Sequence, residues 1–207
     1  MNWCSWIRNA LTAGLVLSIF LLWGCASSEI YNSGAVPPVD SSEYEDVLEK
    51  FTRHDRQYSG FYQTYEVKGT LLNSEVNRLI LQNKGFYHQW DAEKARKERE
   101  KTIQEMSSES SFFFSFFTPE RDHNDLNKGT SIWKVYLEVN GVRYDGRVVK
   151  RNDKLADLVT VYHYHNRWST PYKVYFKIPM TAVEQASSKI VFTSSLGTTT
   201  FEFPSIK

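Results

Sequence analysis

Cysteine is nearly absent from this chain of 207 residues, which contains only Cys4 and Cys25. Cys4 precedes an apolar run that is typical of a cleaved secretion signal, so Cys25 is the only cysteine expected in the mature protein. A disulfide within the mature chain is thereby excluded. The domain must be stabilised by its hydrophobic core, and the chain length suits one such core and one domain.

An excess of charge of either sign is also missing. The chain has 25 Lys and Arg residues against 24 Asp and Glu residues, and loss of Arg8 with the signal leaves the mature protein formally neutral. Binding to nucleic acid or to an anionic lipid surface through bulk charge needs a surplus of Lys and Arg. We therefore expect no nucleic-acid partner.

The N-terminal residues have the layout of a bacterial signal peptide. Arg8 precedes the apolar run Leu11–Leu22, which is shorter than the roughly 18–20 residues needed to span a bilayer. The run ends in Leu22-Trp23-Gly24-Cys25, which resembles the lipobox of bacterial outer-membrane lipoproteins. The resemblance implies removal of residues 1–24 and acylation of Cys25, whose lipid would anchor the protein in the membrane. The alternative is an ordinary signal peptide or short anchor with an incidental cysteine.

Residues 25–42 are predicted to form a flexible tether, because they carry serine, glycine and a proline pair without hydrophobic periodicity. Ala26 and Ser27 follow the lipobox cysteine, whereas an aspartate at this point retains well-studied Gram-negative lipoproteins at the inner membrane. By this resemblance we expect the outer membrane, with a single folded domain over residues 43–207.

The rest of the chain predicts a mainly β domain. From Ser131 onward, strand-like segments recur about every ten positions, and Asn140-Gly141 is a strong signal for a two-residue hairpin turn. The segment Ser111–Phe117 (SFFFSFF) predicts a strand covered on both faces. We expect an antiparallel β-sandwich of immunoglobulin-like architecture. One of its strands is predicted at Leu155–His165, and a bulge is predicted at Gly146.

Two helical regions are expected beside these strands. The first is capped by Ser41 or Ser42 and extends to about Tyr58. The second is a helical insertion over about residues 73–110, and it includes a charged helix over Asp91–Ser108. The apolar stripe of that helix is narrow, so we expect it to rest on the sheet without being buried all round.

The loop that follows the predicted strand Leu155–His165 holds the candidate partner-binding residues. Arg167, Trp168 and Tyr172 include the residue types enriched at interaction hot spots, and loops carry function more often than strands do. The alternative is that Trp168 closes the end of the core. A second candidate surface is the exposed side of the Asp91–Ser108 helix.

His163 and His165 are the candidates for a metal site. They lie two positions apart, so on a strand their side chains would share one face. No third ligand is fixed by local spacing, and the alternative is an ordinary solvent-exposed face. We therefore predict neither a metal nor another cofactor.

The preferred function is a lipid-anchored, non-enzymatic accessory module of the cell envelope that recognises a protein partner. The alternatives are a domain that binds a small molecule, a glycan or a metal, and an envelope hydrolase that uses His123 with nearby carboxylates. The chain lacks the G-x-S-x-G, H-E-x-x-H, P-loop and dinucleotide-binding motifs, so we assign no catalytic residue.

Overall fold

Nine strands form two antiparallel sheets in the computed structural model, which describes residues 36–206. The strands are β1 (Thr52–Ser59), β2 (Tyr62–Leu71), β3 (Ser110–Phe117), β4 (Lys134–Val139), β5 (Val142–Asp145), β6 (Arg147–Lys150), β7 (Thr170–Phe176), β8 (Ser188–Ser194) and β9 (Gly197–Phe203). The larger sheet has the order β1-β2-β3-β7-β6, and the smaller has the order β5-β4-β8-β9. The predicted β-sandwich with an N-terminal helix and a helical insertion is confirmed. The signal peptide, Cys25 and most of the predicted tether lie outside the described residues.

Five α-helices accompany the sheets in the described part of the chain. They are α1 (Ser41–Lys50), α2 (Ser74–Tyr87), α3 (Ala92–Ser108), α4 (Leu155–Val161) and α5 (Met180–Glu184). Asn73 and Asp91 cap α2 and α3, because their side chains accept hydrogen bonds from backbone N–H groups of the first turn. Within residues 36–206, no helix combines the length and the apolar character that crossing a bilayer requires.

The aromatic strand β3 lies at the centre of the larger sheet, between β2 and β7. Phe114 and Phe116 point into the sandwich. The ring centroid of Phe114 lies 4.9 Å from that of Phe192, and the ring centroid of Phe116 lies 5.1 Å from that of Trp133. On the opposite face, Phe113 stacks on Tyr162 with ring centroids 3.6 Å apart. The prediction that this strand is covered on both faces is confirmed.

The β2 and β3 backbones approach each other closely at Gly69. A side-chain carbon at this position would lie 2.6 Å from the carbonyl oxygen of Phe113 and would press into the ring of Phe112. Because both obstacles belong to the sheet itself, only glycine fits here without separating two strands of the core.

The two sheets are joined at both of their long edges. On one side, Gly146 carries the chain directly from β5 in the smaller sheet to β6 in the larger, and its N–H donates to Val135 at 2.8 Å. On the other side, β1 and β9 meet through side chains: Arg53 Nε donates to the carbonyl oxygen of Glu202 at 3.0 Å, and Thr199 Oγ1 donates to Asp55 Oδ2 at 2.5 Å. A bulge was predicted at Gly146, but the structure shows that the chain passes from one sheet to the other at this residue.

Two predicted element boundaries were wrong. Helix α1 is capped by Asp40 and ends at Lys50, and the residues up to Ser59 form the edge strand β1. The segment Leu155–His165 was predicted as a strand, but it forms helix α4 and the turns that follow. In each case pairing or burial against the neighbouring layer decides the conformation, and local propensity does not.

Candidate functional site

The predicted binding residues are separated by the fold. Trp168 is 76% exposed, and its N–H donates to Asn166 Oδ1 at 2.9 Å in a turn that holds the loop. Arg167 is exposed beside it. Tyr172 is 0% exposed, and its hydroxyl donates to Asn124 Oδ1 at 2.8 Å. Tyr172 is thus a core residue, and the candidate surface reduces to Arg167 and Trp168.

The two candidate metal-binding histidines do not share a face, since they follow a helix and do not lie on a strand. His165 is buried, and its Nδ1 lies 2.6 Å from Ser115 Oγ. Burial lowers the pKa of His165, which favours the neutral ring. His163 is exposed, with Nδ1 3.8 Å from Glu45 Oε1. Among residues 36–206, no group of three or more His, Cys, Asp or Glu side chains is arranged to hold a metal ion.

The candidate acid–base loop forms a short 3₁₀ helix at Arg121–His123. His123 Nδ1 lies 3.6 Å from Glu120 Oε2, and both side chains are accessible to solvent. The backbone carbonyl of His123 accepts a hydrogen bond of 2.8 Å from Trp133 Nε1. This loop closes one end of the core through Trp133, and the described cavities lie elsewhere.

A polar cleft of about 650 Å³ lies beneath α3, on the outer face of the larger sheet. Its floor is the stacked pair Phe113 and Tyr162. Lys84 of α2, Lys173 of β7 and Arg151 after β6 converge on this floor. We call this site the lysine cleft. Of the surfaces proposed from the sequence, only the Asp91–Ser108 helix contributes to it, and Arg167, Trp168, Tyr172, His163 and His165 do not line it.

Arg151 already has a carboxylate partner within the cleft. Its Nε and one terminal nitrogen donate to the two oxygens of Asp153 at 2.7 and 2.9 Å, which is the fork geometry of a strong arginine–carboxylate pair. The hydrogen bonds from Arg151 lower the pKa of Asp153, and Asp153 raises the pKa of Arg151. This pair is charge-balanced and fixes one wall.

Lys84 and Lys173 are half-buried and have no such partner. Within the described residues, neither ammonium group makes a hydrogen bond or an ion pair within 4.0 Å, and the Nζ of Lys173 lies 4.8 Å from the ring centroid of Tyr175. Burial lowers the pKa of both lysines. Arg151 lowers both values further, because it is a cation close to each of them.

Acidic residues also line the lysine cleft. Asp157 and Glu105 are exposed at its mouth, and Glu98 is half-buried on α3. Together with Asp153 they raise the pKa of one lysine or the other, but none of them is close enough to form an ion pair with either. The inner part of the cleft therefore keeps two ammonium groups that have no carboxylate partner among residues 36–206.

Comparison of the chain with protein-family models, with curated proteins and with solved structures finds no match.

Sequence reasoning missed the lysine cleft for an identifiable reason. Lys173 alternates with Tyr172 and Val174, a pattern that normally places a lysine on a solvent-exposed face. Because β7 pairs with β3, which is covered on both sides, the outer face of β7 is covered as well. The signal that could have indicated the cleft is Lys173 on a strand that pairs with the doubly covered strand β3.

Proposed function

We propose that the protein is a non-enzymatic binding module whose lysine cleft holds a small anionic ligand. The observation that carries this proposal is the pair of half-buried lysines, Lys84 and Lys173, whose ammonium groups lack an anionic partner among the described residues. Desolvating an ammonium group without a counter-charge costs free energy, which a carboxylate or phosphate bound between the two lysines would recover.

The shape and chemistry of the cleft suit a ligand of modest size. Its volume of about 650 Å³ lies within the range of roughly 300–1,000 Å³ that is usual for small-molecule sites. The Phe113–Tyr162 floor offers an apolar contact for the uncharged part of the ligand. Lys84 and Lys173 would bind its anionic group, while the Arg151–Asp153 pair holds the wall in place.

A thermal-shift panel on the full-length protein tests this proposal. Succinate, inorganic phosphate and glucose 6-phosphate represent anions, and glucose and choline are the neutral and cationic comparisons. We expect at least one anion to raise the unfolding temperature, with stabilisation of about 2.7 kcal/mol at a concentration 100 times its dissociation constant. The shift should shrink as salt is added. An equal shift with glucose would contradict the proposal.

The resemblance of Leu22-Trp23-Gly24-Cys25 to a lipobox supports a location for this module. Acylation of Cys25 would anchor the domain in the cell envelope, and the residues that follow the cysteine favour the outer membrane. The cleft would then meet ligands of the envelope compartment.

A second candidate function is recognition of an envelope protein through Arg167 and Trp168. The observation that favours it is the 76% exposure of Trp168, since tryptophan is enriched at interaction hot spots. Asn166 Oδ1 accepts hydrogen bonds from the backbone N–H groups of Trp168 and Ser169. The indole ring of Trp168 therefore projects from an ordered turn.

Replacing Trp168 by alanine should reduce recovery of a crosslinked envelope partner by about tenfold or more and leave the unfolding temperature unchanged, because the ring is a surface anchor. The measurement is in-cell crosslinking and affinity recovery of the full-length tagged chain. Phe61→Ala is the matched control, since Phe61 is an exposed aromatic residue in a different turn. Recovery of the partner by Trp168→Ala at the wild-type level would rule out the loop as the binding surface.

A further inference from the structure

A second cavity lies beside the lysine cleft along α3, and Asn77, Leu81, Trp90 and Thr102 line both cavities. It is an open groove of about 990 Å³ between α2 and α3, with the chain at Val36 and Pro37 along one edge. Its apolar lining includes Leu81, Trp90 and Ile103. We call this site the apolar groove.

Helix α3 has no buried residue over its whole length, and one of its faces lines the groove. Ala92, Ala95, Ile103 and Met106 recur at helical spacing along one face, and that face lines the groove. Ile103 is 60% exposed, so this apolar face meets solvent along the groove. A ligand with a hydrocarbon part would cover this face.

The rim of the groove is cationic. Arg78, Arg96 and Arg99 line its edges, and all three are exposed. Arg78 is paired with Glu43 at 2.9 Å, and Arg96 with Glu100 at 3.2 Å. Arg99 has no ion-pair partner within residues 36–206, so its guanidinium is the one available for an anionic group.

We propose that the apolar groove binds a long-chain fatty acid, with the hydrocarbon tail along the α2–α3 face and the carboxylate on Arg99. The apolar interior with a charged edge matches a single chain that ends in one anion. A guanidinium can receive a carboxylate through two parallel hydrogen bonds, which fixes the orientation of the ligand. The proposal is independent of the function assigned to the lysine cleft.

Trp90 provides the probe, because it lines the groove and bromine on a bound acyl chain quenches nearby tryptophan fluorescence. Dibromostearate is titrated into the full-length protein held in an amphipathic polymer, with unbrominated stearate as competitor. We expect saturable quenching that stearate reverses and that Trp90→Phe largely removes. Ile103→Glu should weaken binding by about tenfold. Ile132→Glu, at an exposed isoleucine outside the groove, should leave it unchanged.

Two further arms test the assigned orientation and location. Arg99→Gln should weaken binding of the free acid but not of its methyl ester, because only the acid carries the carboxylate. Trp90 also lines the lysine cleft, so the Lys84→Met/Lys173→Met protein serves to locate the ligand. Unchanged quenching in that protein places the fatty acid in the groove, whereas loss of quenching overturns the proposal in favour of the lysine cleft.

Three other results would also overturn it. Equal affinity of the wild type and Ile103→Glu would show that the acid binds elsewhere. Equal affinity of the acid and the ester would remove the role of Arg99. Absence of saturable quenching in the wild type would leave the groove to a protein segment, such as the residues that precede Val36.

Discussion

Replacing Lys84 and Lys173 together by methionine is expected to weaken anion binding strongly and to stabilise the folded protein near neutral pH. Methionine keeps most of the length of the lysine side chain and removes the charge that the fold has partly desolvated. Binding should weaken by about 100-fold or more, since a charge-assisted hydrogen bond contributes roughly 1.5–3 kcal/mol. The free energy of unfolding should rise by about 1 kcal/mol, because two unpaired half-buried charges are removed.

The pH dependence of stability gives this prediction a second readout. Burial lowers the pKa of both lysines below the value of about 10.4 that is typical of the unfolded chain. Between the folded and unfolded pKa values, the unfolded protein holds more protons on these two lysines than the folded protein does. Their contribution to the free energy of unfolding therefore increases with pH in this range. The buried tyrosines Tyr44, Tyr162 and Tyr164 have raised pKa values, which act in the opposite direction in this pH range, but they are common to both proteins. We therefore expect chemical denaturation to show that the stability advantage of the double variant over the wild type decreases as pH approaches about 10.

Lys134→Met/Lys150→Met is the matched control, because both lysines are exposed and neither lines the cleft. Its ligand-induced thermal shift should equal that of the wild type. A Lys84→Met/Lys173→Met protein that keeps the full anion-induced shift would disprove the assigned site, even if its stability changed as expected.

Of the substitutions that add a single methyl group to the larger sheet, Gly69→Ala should cause the largest loss of stability. The new carbon would lie 2.6 Å from the Phe113 carbonyl oxygen, which belongs to the paired strand and cannot move without opening the β2–β3 ladder. We expect a loss of about 3 kcal/mol in the free energy of unfolding, which is the upper range for overpacking a core. Urea denaturation monitored by circular dichroism measures it.

Gly129→Ala provides the comparison, since nothing lies within 4 Å of the added carbon at that position. It should change the free energy of unfolding by less than about 0.5 kcal/mol. Similar losses in the two variants would mean that the β2–β3 contact tolerates expansion, contrary to the packing described for the core.

Much of the fold could be predicted from local patterns. The alternation in β4, β7 and β9, the Asn140-Gly141 turn and the continuous aromatic run of β3 each specify an element within a few residues. The caps of α2 and α3 could be predicted for the same reason, since Asn73 and Asp91 act on backbone groups only three residues away.

Other features depend on contacts that no local window contains. The segment LADLVTV is rich in β-branched residues but is helical, with Leu158 and Val161 buried three positions apart on one face. The lysine cleft joins α2 to residues near β6 and β7, which are distant in the chain. Tyr172 and Trp168 look equally suited to binding in sequence, and only the fold shows that one is core and the other surface.

The joined edges of the sandwich bear on self-association. The segment SFFFSFF has high β propensity, no charge and no proline, which is the composition of a segment that can start cross-β aggregation. It lies at the centre of its sheet, whereas the edge strands β5 and β6 have only four residues each and carry arginine. The opposite edges, β1 and β9, bind each other. The aggregation-prone segment is therefore paired on both sides in the folded protein, and it becomes accessible only on unfolding of the sandwich.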